Sequence, residues 1–108
     1  MHGKYGEDGT IQGLIELAGI PLAGCGVLSS ALCMDKDRAH KLVSLAGIAV
    51  PKSVVLEENT VETRQKILDT LSFPVFVKPV RAGSSFGVTR VESRDALGTA
   101  VDAAFRRV

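Results

Sequence analysis

The segment that most constrains the fold runs from residue 73 to residue 91, where two apolar runs flank a loop rich in glycine and serine. The run 75–77 (Val-Phe-Val) favours a strand, and it lies between two prolines that limit its length. Lys78 follows directly, so its stem lies in apolar surroundings while its ammonium group reaches the edge of the strand. Residues 88–91 (Val-Thr-Arg-Val) predict a second strand. The segment therefore predicts a buried strand that ends in Lys78, a loop of glycine and serine, and a second strand.

The loop itself has the composition of a phosphate-binding element. Residues 83–87 read Gly-Ser-Ser-Phe-Gly, which supplies backbone N–H groups, two hydroxyls and positions that tolerate positive φ. Together with the Lys78 cation, these groups can make charge-assisted hydrogen bonds to phosphate oxygens. A hairpin loop with a solvated lysine is the alternative interpretation. It explains the glycines and serines but not a lysine between Val77 and Pro79, so we favour nucleotide binding. Arg81, at the base of the loop, either pairs with phosphate or faces solvent, and we expect it to face solvent.

Composition and charge exclude several classes of function. A net charge of +1 gives no support for a nucleic-acid partner. No apolar run approaches the roughly 18 residues of a membrane span, and the first residues lack the pattern of a secretory signal, so we expect a cytoplasmic protein without a membrane partner. Cys25 and Cys33, with two histidines at no recognisable spacing, predict reduced thiols and no metal site in this chain.

Helix signals surround this strand–loop–strand unit. Apolar spacing, capping residues and C-terminal glycines predict five helices: from Asp8 or Thr10 to Gly19, from Val27 to Met34, from Asp35 to Gly47, from Thr60 to about Leu71, and from Ser93 to Phe105. A further strand is predicted from Val50 to Leu56. The alternation indicates an α/β arrangement, and a turn signal near Gly47 predicts a boundary between domains 1–47 and 48–108.

Two polar blocks carry further candidate residues. Residues 2–9 place three glycines and several ionisable groups in a loop before the first helix, where Asp8 is expected to cap. His2 is either an acid, base or hydrogen-bond partner for a substrate, or an ordinary exposed histidine. Lys36, at the start of the third helix, is either a surface residue or a ligand for an anion bound there. Taken alone, each of these two residues favours the surface interpretation.

Taken together, three blocks resemble the D-alanine–D-alanine ligase family of the ATP-grasp superfamily. These are residues 2–13, residues 30–36 and residues 73–87, and their order and spacing match over essentially the whole chain. Residues 80–88, together with the surroundings of Cys25 and Cys33, are similar to the vancomycin-resistance branch. Members of that branch join D-alanine to D-serine or D-lactate.

The resemblance implies a fold, a reaction and a set of site residues. It implies the end of an N-terminal Rossmann-like (pre-ATP-grasp) domain, followed by the start of the central ATP-grasp subdomain. It also implies a cytoplasmic ligase of peptidoglycan precursor synthesis, in which ATP converts a first D-alanine to an acyl phosphate that a second D-amino or D-hydroxy acid attacks. Catalytic roles near the substrate are implied for His2 and Ser84. Contacts to ATP are implied for Lys36, Lys78, Gly83, Ser84, Ser85 and Gly87.

The resemblance also implies parts that these 108 residues do not supply. The acidic Mg²⁺ ligands are expected in a C-terminal part, and the loop that selects the second substrate has no counterpart here. We therefore expect an internal segment of a ligase that does not catalyse ligation alone, and a homodimer is the partner expected from the family. Two alternatives stay open: an ATP-grasp ligase for another carboxylate, against which residues 2–13 argue, and a non-catalytic nucleotide-binding module.

Overall fold

The computed structural model describes residues 2–107, in which five helices accompany one antiparallel pair of strands. Val75 pairs with Val91 and Val77 with Thr89. The mixed α and β character and the strand–loop–strand unit are confirmed, whereas the assignment to Rossmann-like and ATP-grasp subdomains stays a prediction. None of the described helices is long and apolar enough to cross a membrane. The elements, in chain order, are α1 (Thr10–Leu17), α2 (Val27–Met34), α3 (Lys36–Leu45), α4 (Val61–Thr70), β1 (Val75–Val77), β2 (Thr89–Val91) and α5 (Arg94–Phe105).

The contacts divide these residues into two compact units that do not follow a single cut in the chain. The first unit contains residues 2–50 together with 80–84, and the second contains 51–79 together with 85–107. The first half of the loop between β1 and β2 therefore belongs to the unit formed by α1, α2 and α3. The predicted domain boundary after Gly47 stays a prediction.

In the first unit, the N-terminal cap of α3 is the residue that the sequence predicted, whereas the cap of α1 is not. Asp35 caps α3 as predicted, since its Oδ1 accepts the Arg38 N–H at 2.9 Å. The expected cap of α1 by Asp8 or Thr10 is wrong, because Gly9 holds that position with a φ of 95°. A Cβ on Gly9 would lie 2.8 Å from the Val27 carbonyl oxygen, so a larger capping residue does not fit. Asp8 instead accepts the Thr10 N–H from one residue before the cap.

The second unit is built around a small apolar core between the two strands and helices α4 and α5. Val91 and Val101 are almost fully buried, and α5 packs against both strands. Thr60 caps α4 as predicted, and Thr63 completes a reciprocal capping box with it. The buried members of the core are Ile67, Val75, Val91, Leu97, Ala100 and Val101.

The predicted strand from Val50 to Leu56 is wrong. Among the described residues this segment joins no sheet, yet Val54 and Leu56 still pack against the core of the second unit. Pro51 also lacks the N–H that a ladder requires. The alternating apolar residues here reflect packing against that core rather than pairing of a strand.

Candidate functional site

The loop between β1 and β2 has an unusual backbone at its two serines. Ser84 and Ser85 have φ values of 52° and 56°, and Gly87 follows with a φ of 76°. The left-handed region is uncommon for residues other than glycine, and such conformations concentrate at binding and catalytic sites. Both serine side chains are exposed. A loop with this backbone can direct its N–H groups toward an anion, and the two serine hydroxyls add further hydrogen-bond donors.

Gly87 is required by the turn that returns the chain to β2. Its positive φ is strained for any other residue, and a Cβ there would lie 3.0 Å from Pro79 Cγ. The turn is closed by the Val88 N–H, which donates to the Ser85 carbonyl at 3.2 Å. Pro79 is buried, while Lys78, which directly follows β1, is exposed.

Lys36 lies at the base of the loop and not on an open surface. Its backbone N–H donates to the Val80 carbonyl at 3.1 Å, and its ammonium nitrogen is 2.5 Å from the Ala82 carbonyl oxygen. It also lies 3.4 Å from the Val80 oxygen. The start of α3 is therefore bound to residues 80–82. The Lys36 ammonium group lies beside Ala82, which is two residues before Ser84 in the chain. A phosphate oxygen bound at the loop would be stabilised by that charge.

Asp35 and Arg81 form a second connection between α3 and the loop. The Arg81 Nε lies 3.2 Å from Asp35 Oδ2, and the Arg38 Nη1 lies 2.7 Å from the same oxygen. Burial raises the pKa of the Asp35 carboxyl, but hydrogen bonds from the Arg38 N–H and from both guanidinium groups outweigh it, so the pKa lies below its usual value. The expectation that Arg81 faces solvent is confirmed, since its side chain is 72% exposed, and its guanidinium group is in addition paired with Asp35.

Gly83 lies against the N-terminal polar block. A Cβ at Gly83 would be 2.9 Å from Glu7 Oε2, so that carboxylate leaves no room for a side chain there. Glu7 accepts the Gly3 N–H, which lowers the pKa of the Glu7 carboxyl, and His2 Nδ1, 3.7 Å from Glu7 Oε1, lowers it further. His2 is exposed. The proximity of Glu7 to Gly83 has no local signal in the sequence.

The structure sorts the predicted site residues into two groups. One group, in the first unit, contains His2, Lys36, Gly83 and Ser84; the other, in the second unit, contains Lys78, Ser85 and Gly87. The residues that sequence reasoning missed are Asp35 as an ionic partner, Arg81 and Glu7. Within residues 2–107, no group of three or more His, Cys, Asp or Glu side chains could hold a metal ion.

Comparison with protein families and curated proteins identifies relatives along nearly the whole chain. The family model described as D-ala D-ala ligase C-terminus matches residues 42–108. The Vancomycin B-type resistance protein VanB of Enterococcus faecalis is 54% identical over 96% of this chain and 29% of its own length. The D-alanine–D-alanine ligase of Mycolicibacterium vanbaalenii is 52% identical over 98% of this chain and 29% of its own length. The chain thus spans about three tenths of the length of these relatives.

Solved structures agree with this result. The VanG D-Ala:D-Ser ligase from Enterococcus faecalis matches with a TM-score of 0.88 and 61% identity, over 97% of this chain and 31% of that one. The D-alanine–D-alanine ligase from Helicobacter pylori matches with a TM-score of 0.84 and 34% identity, over 97% of this chain and 32% of that one. On the family match and these identities, the chain belongs to the D-alanine–D-alanine ligase family.

Proposed function

We propose that this chain is part of a cytoplasmic, ATP-dependent ligase that joins D-alanine to a second D-amino or D-hydroxy acid for peptidoglycan precursor synthesis. The observation that carries the proposal is the attachment of Lys36 to the Val80 and Ala82 carbonyls, beside a loop whose two serines have positive φ. This arrangement suits a phosphoryl group, in a chain whose relatives are ligases. D-Alanine, D-serine and D-lactate are the candidate second substrates.

In this proposal the loop binds the transferring phosphoryl group. Backbone N–H groups and hydroxyls of residues 83–87 donate to phosphate oxygens, and the ammonium groups of Lys36 and Lys78 neutralise the charge that develops on them. Mg²⁺ would neutralise the β- and γ-phosphates further when bound, with ligands from outside these 108 residues. The loop, exposed at both serines, fits a group that enters from solvent.

The chemistry would proceed in two displacements. A carboxylate oxygen of the first D-alanine attacks the γ-phosphorus and ADP leaves, which gives an acyl phosphate. The amine or hydroxyl of the second substrate then attacks the acyl carbon, loses its proton, and phosphate departs with the oxygen that came from the carboxylate. Ser84 would donate to the first substrate, and His2 would act near the substrate pocket as a hydrogen-bond partner or proton carrier.

A chimeric ligase tests the proposal directly. Residues 1–108 replace the matching segment of the VanG D-Ala:D-Ser ligase, so the remaining parts of the site come from a relative 61% identical in this segment. We expect the chimera to release ADP only when D-alanine is present and to form a D-alanyl product. First D-alanine labelled with ¹⁸O in its carboxylate should transfer one labelled oxygen to inorganic phosphate. A folded chimera that binds ATP without turnover would instead support a non-catalytic module.

Variants of the chimera test the lysine assignment. Lys78→Met should raise the KM for ATP, whereas Lys52→Met, at another exposed lysine, should leave it unchanged. Turnover with another carboxylic acid but not with D-alanine would support the alternative ATP-grasp ligase. The 108-residue chain assayed alone should not ligate. A homodimer, also proposed from the family, is tested by light scattering on the chimera.

A further inference from the structure

We propose that Asp35 is a positioning residue for the nucleotide-binding loop, which it holds through Arg81. The inference rests on the proposed function, because it assigns the loop to ATP. Asp35 opens α3, and Arg81 lies in the loop, 46 residues later in the chain. Asp35 is therefore a helix cap that also fixes the loop containing Gly83 and Ser84.

The burial of Asp35 supports a specific role beyond capping. Its side chain is only 5% exposed, while the guanidinium-bearing side chains of Arg38 and Arg81 are largely exposed. A buried carboxylate needs partners for both oxygens. Oδ1 accepts the Arg38 N–H, and Oδ2 accepts from both guanidinium groups. An N-cap alone uses one oxygen, so the second oxygen is available to hold Arg81.

The position of Lys36 links this ion pair to the proposed ATP contacts. Lys36 follows Asp35 in the chain, and its N–H and ammonium donate to the carbonyls on either side of Arg81. Residues 80–82 are thus attached to residues 35 and 36 by an ion pair and by hydrogen bonds from Lys36. Release of Arg81 would loosen the loop just before Gly83 and Ser84. Small displacements of groups that hold a reacting phosphate reduce binding and rate steeply.

Arg38 and Arg81 pair with the same carboxylate from different parts of the chain, so Arg38 is the matched control for Arg81. Arg38 lies in the first turn of α3 and pairs with Asp35 within the helix. Of these two arginines, only Arg81 lies in the loop, so only Arg81 connects Asp35 to the loop. Loss of Arg38 should therefore leave ATP binding unchanged, while loss of Arg81 should weaken it.

The first test measures steady-state kinetics of the chimeric ligase. Asp35→Asn keeps a good helix cap but removes the charge that holds Arg81. We expect the KM for ATP to rise about tenfold, with a smaller change in kcat and in the KM for D-alanine. Arg81→Gln should reproduce this effect, the double variant should add little to it, and Arg38→Gln should resemble the wild type. The thermal melting of each variant checks that it is folded.

Three outcomes would overturn the proposal. Asp35→Asn could leave the KM for ATP unchanged, or the two substitutions could be fully additive. Arg81→Gln could also weaken ATP binding while Asp35→Asn does not, which would make Arg81 a direct phosphate ligand. An inactive wild-type chimera would count against the proposed ligase function alone. In that case hydrogen exchange decides, because Asp35→Asn and Arg81→Gln must both lower the exchange protection of the Lys36 amide, which donates to the Val80 carbonyl, and unchanged protection would refute the positioning role.

Discussion

The guanidinium group of Arg107 lies over the ring of Phe86, with its carbon 4.3 Å from the ring centroid. Phe86 is at the exposed tip of the loop, between Ser85 and Gly87, and Arg107 follows the end of α5. The side chain of Arg107 also lies near Gly87, since a Cβ added there would be 3.6 Å from Arg107 Cγ. The second half of the loop is thus held by a cation–π contact to the same unit that contains α5.

Loss of this contact should increase the mobility of the loop tip. Exposed cation–π contacts contribute about 0.5–1 kcal/mol, so Arg107→Gln should accelerate exchange of the Val88 amide, which donates to the Ser85 carbonyl, about two- to fivefold in the chimera. Arg107→Lys should preserve part of the protection. Arg106→Gln removes the same charge from the preceding exposed residue and should leave exchange of the Val88 amide unchanged. Equal exchange in both glutamine variants would show that the contact does not hold the tip.

The space beside Gly83 gives a prediction about activity. Gly83→Ala would place a methyl group 2.9 Å from the Glu7 carboxylate, so either the loop or Glu7 must shift. We expect the KM for ATP of the chimera to rise severalfold, because residues 83 and 84 are the proposed phosphate donors.

Gly13→Ala is the matched control for that substitution. Gly13 lies inside α1, and a Cβ there would meet only Val27 Cγ2, at an ordinary distance of 3.8 Å. Alanine favours a helix interior over glycine by about 1 kcal/mol, so this variant should keep its activity and melt no lower than the wild type. The steric argument fails if Gly83→Ala binds ATP as well as Gly13→Ala does.

Local signals in the sequence predicted the helices because helix ends are stabilised by contacts between residues that are close in the chain. Asp35 and Thr60 accept N–H groups three residues later in the chain, and Gly47 takes the positive φ expected just after a helix. The same local logic misplaced the cap of α1. The space at Gly9 decides it, because a Cβ there would lie 2.8 Å from the carbonyl oxygen of Val27, which belongs to a different helix.

The connections that build the candidate site were not visible in the sequence. Lys36 reaches Ala82, and Asp35 reaches Arg81, across more than forty residues. Residue types and spacing indicated an anion at the loop and left Lys36 as either a surface residue or an anion ligand, but periodicity does not specify which distant residues meet. The failed strand at 50–56 has the same cause, since an apolar pattern does not identify a pairing partner.

The capping box of α4 gives a prediction about local stability. Thr60→Ala removes the hydroxyl that accepts the Thr63 N–H, and such a change costs about 1 kcal/mol. The amides in the first turn of α4 should then exchange about fivefold faster in the chimera. Thr70→Ala, at the exposed last residue of the same helix, should not accelerate that exchange. If the amides in the first turn of α4 exchange at the same rate in both variants, the capping box does not stabilise the start of the helix.

Acid should release the loop through Asp35. Its pKa is lower in the folded chain than the ordinary value of 3.8, so its ionised form stabilises the fold fully above 3.8 and loses that effect as the pH falls through the lower folded value. The Glu7 and Asp8 carboxyls also have lowered pKa values, so the wild type alone cannot isolate Asp35. The informative quantity is the difference between the wild type and Asp35→Asn in the exchange protection of the Lys36 amide, which donates to the Val80 carbonyl. That difference should be largest above pH 3.8 and should shrink toward zero in stronger acid; a constant difference would mean that the charge of Asp35 does not hold the loop.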